Sequence, residues 1–287
     1  MEVPDRVRRT EPAWFGDDGP RWCEAAPGIA NRLSEQWKLR PDAILPGATH
    51  ALVVACTRAD GAPAVLKLPF VDDENRAEAD ALGLYDGDGA VRLLDHDPAS
   101  GALLLERLVP GTPLLDLADR GQAVDIACGL LRRLRRPPPQ RHRFPLLRNL
   151  ATAWATEFSK VGQPLFARAA ERAHELAAWH GEEVVVNRAA HLGNVLAASR
   201  EPWLLIDPKP VVGDPAFDGA FLLLRQLDAP MPDLAERIAQ GLGIDAARLR
   251  GWALVRAVDN IRWATDVGDP TWTARYANLA RRLAGID

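Results

Sequence analysis

The chain has little cysteine, no long hydrophobic run and no surplus of positive charge, and each shortage removes a class of protein. Its three cysteines, Cys23, Cys56 and Cys128, stand far apart in 287 residues. An odd, scattered set makes neither a disulfide framework nor a zinc site. It suits a reducing compartment, so a cytoplasmic protein is expected. No stretch approaches the roughly 18 apolar residues that a bilayer crossing needs. Met1 to Arg9 carries mixed charge without an apolar stretch, which argues against a secretory signal. A formal net charge of −4 gives no footprint for nucleic-acid phosphates. The chain also lacks an internal repeat and a Gly-x-Gly-x-x-Gly loop. What it has is apolar content, 47%, ample for one large domain or two lobes.

The first forty residues place Trp14, Trp22 and Trp37 at helix-like apolar spacings, closed by Arg40-Pro41. The pattern then changes. Ala51 to Cys56 and Ala64 to Leu68 flank Asp60-Gly61, a strong hairpin signal. Residues 74–85 fit a helix with Leu82 and Tyr85 on its apolar face. Strand-like runs follow at Ala90 to Leu94 and Ala102 to Leu108. Beyond Pro110 to Pro113 the spacing becomes helical near 121–136, 149–159 and 165–180, with Pro137 to Pro139 as a rigid loop. Short strands are expected near 184–186 and 203–206, then helices at 217–228, 232–241, 246–265 and 271–284. Strands first and helices second predict an α+β protein of two lobes: residues 1–107 with a helical N-terminal extension, and residues 108–287.

Two runs carry the most specific signal. Val184 to Leu196 reads VVVNRAAHLGNVL, and Trp203 to Asp218 reads WLLIDPKPVVGDPAFD. Together with Asp60 to Leu68, Glu78 to Leu82, Gly87 to Leu94 and Leu103 to Leu108, they resemble the streptomycin and hydroxyurea phosphotransferases. That family is the aminoglycoside-kinase branch of the protein-kinase-like fold. The order of motifs is similar over roughly residues 10 to 285. The resemblance implies a β-rich N-lobe that binds nucleotide and a mainly helical C-lobe that carries the catalytic and metal loops.

The same resemblance implies roles. Lys67 would hold the ATP phosphates, with Glu78 as its partner. Glu106 and Leu108 would lie in the hinge that meets adenine. Asn194 and Asp207 would hold magnesium, making ATP or ADP with Mg2+ the implied cofactor. From the residues alone, Lys67 could equally be a surface lysine at a strand end, and Asp207 a turn-capping aspartate. Gly47, in Pro46 to His50, is either a sparse nucleotide loop or a plain turn. Asp218 would cap a helix or brace the catalytic loop.

The departure is local. The family's loop reads His-x-Asp-Leu-His, and here it reads Asn187-Arg188-Ala189-Ala190-His191. Ala189 stands where the general base belongs, and a methyl group accepts no proton. His191 is the nearest substitute base, although a lone histidine is more often structural. Without its histidine and leucine, the loop is expected to hold an aspartate restored at 189 only loosely.

The function expected is that of a phosphotransferase-like protein of secondary metabolism or antibiotic resistance, its pocket retained and its chemistry on a small molecule altered. The alternatives are an active kinase using His191 and a non-enzymatic small-molecule binder. Neither nucleic acid nor membrane is an expected partner.

Overall fold

The computed structural model describes residues 1–178, 181–226 and 231–286, with the side chains of 10–14 and 231–232 left out. Trp14 therefore lies outside the described side chains. The expected ends of the helices at 179–180 and 227–228 lie outside the described residues. The chain divides into two compact units, Met1–Gly111 and Thr112–Asp287.

The first unit opens with α1 (Asp5–Phe15) and α2 (Asp18–Gln36). Cys23, Ala26, Ala30 and Leu33 of α2 are buried in one core with Leu52, Leu66, Leu68 and Leu104, and Trp22 and Trp37 pack against it. The sheet comprises β1 (Leu39–Ile44), β2 (Ala51–Arg58), β3 (Pro63–Pro69), β4 (Leu93–Asp97) and β5 (Ala102–Glu106), in the order β1-β2-β3-β5-β4. Asp60-Gly61 turns β2 into β3: Gly61 takes φ +83°, and Asp60 Oδ1 accepts the Ala62 N–H at 3.0 Å. Such a φ suits a residue without a Cβ.

Three expectations shift here. Arg40-Pro41 lies inside a strand, β1, at the sheet edge, where the missing N–H of proline does no harm and a register shift follows between Pro41 and Ala43. The helix α3 spans Glu78–Tyr85 and does not reach back to residue 74. Its would-be first turn is captured by side chains: Asp72 Oδ1 accepts the N–H groups of Glu74 and Asn75, and Asn75 Nδ2 donates to the Phe70 carbonyl. The strand after α3 begins at Leu93 and runs through Asp95, His96 and Asp97, a polar edge that hydropathy hides.

The second unit holds α4 (Arg120–Leu134), α5 (Leu147–Ser159), α6 (Pro164–Ala177), α7 (Phe217–Leu224), α8 (Met231–Leu242), α9 (Ala246–Asp266) and α10 (Pro270–Ala284). Aspartates 119, 245 and 269 cap α4, α9 and α10, each accepting an N–H three residues on. Helix α9 is the hub of the core, burying Leu249, Trp252, Val255 and Val258. Two small sheets complete the unit. β7 (Val184–Asn187) pairs antiparallel with β10 (Pro210–Gly213), while β8 (Val195–Ala198) pairs with β9 (Trp203–Leu205) and with β6 (Pro110–Pro113), the strand in which the chain passes from the first unit to the second. No helix among the described residues is long and apolar enough to cross a membrane.

Candidate functional site

Lys67 sits on β3, between β2 and β5, opposite Val53 and Leu103. Its ammonium lies 2.6 Å from each carboxylate oxygen of Glu78, the first residue of α3. The side chains are only 11% and 2% exposed, so the two charges compensate each other away from bulk water. The start of α3 also favours a carboxylate electrostatically. Glu106 ends β5, and its Oε1 accepts the Arg92 N–H at 2.9 Å, which ties it to the residue before β4. Leu108 is half-buried beyond the strand. Gly111 passes close to its carbonyl, so a Cβ there would come within 2.9 Å of that oxygen. Gly47 turns the chain between β1 and β2 at φ +98°.

In the second unit, β7 delivers the chain to the loop at Asn187. The amide oxygen of Asn187 accepts two backbone N–H groups, from Ala189 at 2.9 Å and from Lys209 at 3.0 Å. Its own N–H donates to Asp218 Oδ1 at 2.8 Å. Arg188 N–H reaches the Lys209 carbonyl at 2.9 Å. The loop is therefore clamped to the segment after Asp207 from several directions. Asn187, which stands where the family's pattern has histidine, thus ties the loop in this chain through its side-chain oxygen. The clamp could not be read from spacing because its partners are brought together by the β7–β10 pairing.

Asp218 lies in the first turn of α7, with Arg135 Nε 3.5 Å from its Oδ2. Burial pushes its carboxyl up to about 6, against the pull of Arg135 and of the Asn187 N–H. It acts as a brace, whereas Ala216 occupies the cap position. Asp214 is a second brace. Its Oδ2 accepts from Trp252 Nε1 at 2.7 Å and from the Arg248 guanidinium at 2.5 and 2.9 Å.

Asn194 donates its Nδ2 to the Ala189 carbonyl at 3.2 Å, which turns its Oδ1 away from that carbonyl. Its own carbonyl accepts the Ile206 N–H at 2.8 Å, so Asp207 lies one residue beyond a paired rung. Asp207 takes φ +52°, a left-handed backbone that aspartate tolerates better than most residues. One amide oxygen and one carboxylate suit magnesium, which draws its remaining ligands from phosphates and water. Among the described residues, no cluster of three or more His, Cys, Asp or Glu forms an all-protein metal cage.

His191 heads a one-turn helix, and its Nδ1 accepts the Gly193 N–H at 3.0 Å. The neutral ring then carries its proton on Nε2. Burial above all, then the charge of Arg225, lowers its pKa to about 4. With its bare nitrogen engaged and its affinity for protons reduced, the ring is poorly suited to act as a base.

The family model of the aminoglycoside/hydroxyurea antibiotic resistance kinases matches residues 36–268. The chain belongs to this family. It is 33% identical to streptomycin 6-kinase of Streptomyces glaucescens, covering 99% of this chain and 98% of that protein. It is 35% identical to the hydroxyurea phosphotransferase of Kitasatospora aureofaciens, over 99% and 86% respectively. Among solved structures, a thermostable mutant of aminoglycoside phosphotransferase APH(4)-Ia, in ternary complex with ADP and hygromycin B, gives a TM-score of 0.68 at 16% identity, covering 90% of this chain and 98% of that one. Choline kinase LicA from Streptococcus pneumoniae gives 0.67 at 13% identity, covering 91% and 99%. The fold of this kinase family member is thus α+β, with a β-sheet N-terminal region and a helical C-terminal region.

Proposed function

We propose that this member of the antibiotic resistance kinases binds ATP or ADP with magnesium in the cytoplasm but no longer performs base-assisted phosphoryl transfer, and handles a small molecule by altered chemistry. The observation that carries this reading is Ala189 held in a loop whose fixings are intact. The Asn187 clamp and the Asn194 hydrogen bond both act on the residue that has lost its carboxylate. Loss of the base inside an ordered loop supports replacement of the chemistry more than decay of the site. The buried Lys67–Glu78 pair supports retention of the phosphate-binding half, as does the ADP held by the APH(4)-Ia neighbour.

In this reading, Lys67 binds phosphate and Glu78 orients it. Asn194 Oδ1 and the Asp207 carboxylate hold the metal. Bound magnesium supplies charge neutralisation on the phosphates. An active kinase based on His191 is the weaker alternative, because Nδ1 is already occupied by Gly193.

A ligand that binds only the folded state raises the melting temperature by mass action. Millimolar ATP plus magnesium should therefore shift the melting curve, and Asp207→Ala should abolish the magnesium-dependent part. An unmoved curve refutes nucleotide binding. Phosphate transfer to streptomycin or hydroxyurea, followed by mass spectrometry, should fall far below the roughly 1–100 per second of working kinases.

A further inference from the structure

The turn between β1 and β2, Pro46 to His50, carries a single glycine. A Cβ at Gly47 would meet no atom of the described residues within 4 Å, so the tip of the turn is open. Its base is held. The His50 carbonyl accepts the Phe70 N–H at 3.0 Å, which carries the β2–β3 pairing one rung past Ala51 and Pro69. Against that rung α1 sets an aromatic ring. Phe15, the last residue of α1, stacks on Phe70 with ring centroids 3.8 Å apart and meets the His50 ring edge-on at 5.5 Å. Trp22 of α2 meets the same Phe70 ring edge-on at 6.2 Å. Thr49 Oγ1, one residue earlier in the turn, lies 3.5 Å from Arg6 Nη2 of α1. The helix is itself anchored, because Val3 and Val7 are buried in one core with Leu33, Leu52 and Leu66.

We infer that α1 is a splint for the nucleotide loop: Phe15 is a positioning residue that fixes His50 against Phe70 and so holds the Gly47 turn ready for the phosphates of ATP. The inference rests on the proposed reading that this chain binds ATP or ADP. It gives the helical N-terminal extension a part in that binding.

The physical reasons are three. Glycine-rich phosphate loops bring backbone N–H groups close to the ligand because they carry no Cβ. A turn with one glycine has less of that freedom and must meet the ligand in a shape fixed beforehand. Ordering a residue costs free energy, and when the ordering precedes binding the ligand does not bear that cost. Stacked and edge-on rings suit this task, since they are large and rigid and add attraction beyond their buried area. The place matters as well. Phe70 stands three residues after Lys67, just past the end of β3, so one ring ties the base of the turn to the strand that carries the lysine.

The test compares ligands with and without phosphate. Dissociation constants for ATP–magnesium and for adenosine are read from melting shifts of the full chain over a concentration series. Phe15→Ala should weaken ATP about ten-fold, the scale of ordering one residue, and leave adenosine unchanged. Phe15→Tyr keeps the ring and should recover most of the affinity. Phe15 is only half-buried, so the fold should tolerate the truncation; Phe15→Leu, with apolar bulk but no flat face, takes its place if it does not. Amide exchange reads the splint without any ligand. The Phe70 amide should exchange about ten-fold faster in Phe15→Ala, for the same loss of order. The Arg58 amide, which donates to the Ala62 carbonyl at the far end of the hairpin, should keep its rate. Equal loss for ATP and adenosine, no recovery in Phe15→Tyr, or an unmoved Phe70 amide would each make Phe15 a packing residue and overturn the inference. An ATP shift that Phe15→Ala retains in full refutes the inference alone. No ATP shift in the unaltered chain refutes the nucleotide reading and takes the inference with it.

Discussion

Truncating Glu78 to alanine should destabilise the first unit by about 3–5 kcal/mol, the cost of stranding one charge of a buried ion pair. That range applies because the Lys67 and Glu78 side chains retain only 11% and 2% of their exposure. A solvent-exposed pair would contribute about 0–1 kcal/mol. The double replacement Lys67→Met with Glu78→Leu removes both charges together and substitutes apolar chains of similar length. It should be neutral or more stable by about 1–4 kcal/mol, as found when buried pairs give way to well-packed hydrophobes. Urea unfolding followed by circular dichroism measures both variants. With two units the transition need not be two-state, so the early and late phases are fitted separately. Melting with and without millimolar ATP and magnesium then completes the test. The double variant should be folded yet blind to nucleotide, separating the pair's role in binding from its role in stability. A loss under about 1 kcal/mol for Glu78→Ala, or a full nucleotide shift in the double variant, would refute the reasoning.

Three further outcomes are expected. Folded His191 protonates near pH 4, whereas an unfolded histidine does so near 6.5; the unfolded chain holds the extra proton between these values, so this group makes stability climb as pH rises through that window. His191→Gln should flatten that climb in melting curves taken from pH 4 to 7. Asp218 has the opposite sign: its folded pKa of about 6 exceeds the ordinary 3.8, so stability falls as pH rises between them, and Asp218→Asn should remove that fall. The two slopes oppose each other between about pH 4 and 6, and an unchanged profile in both variants would contradict the assigned burial. Ala189→Asp alone should raise ATP turnover to water, read as ADP release, by about 10²-fold, the low end of what a general base supplies; adding Asn187→His should lose most of that gain, since it removes the acceptor that clamps Ala189 and Lys209.

The features legible in the sequence were those set by neighbours along the chain. A lysine inside Ala64 to Leu68 requires a partner when buried, and Glu78 follows on the next helix. The hairpin at Asp60-Gly61 announces itself through turn chemistry. Ala189 stood out because Asn194 lies five residues later, in a run of recognisable order. Other features depend on distant pairing. Pro41 reads as a stop, yet β1 continues because an edge strand does not need that N–H. Residues 195–198 and 210–213 are too short for periodicity to mark as strands. The clamp on Asn187 needs Lys209, 22 residues away. No local pattern carries such information.

The Asn187 clamp also bears on how such a protein changes over generations. Loop shape depends on position 187, while proton transfer in the family's pattern depends on position 189. When one residue sets geometry and another sets reactivity, the second can drift without unfolding the first. A lineage could then lose phosphoryl transfer in a single step and keep a well-formed receptor for selection to work on. On the proposed reading the way back is also short, because the hydrogen bonds from Asn187 and Asn194 that fix residue 189 are already made.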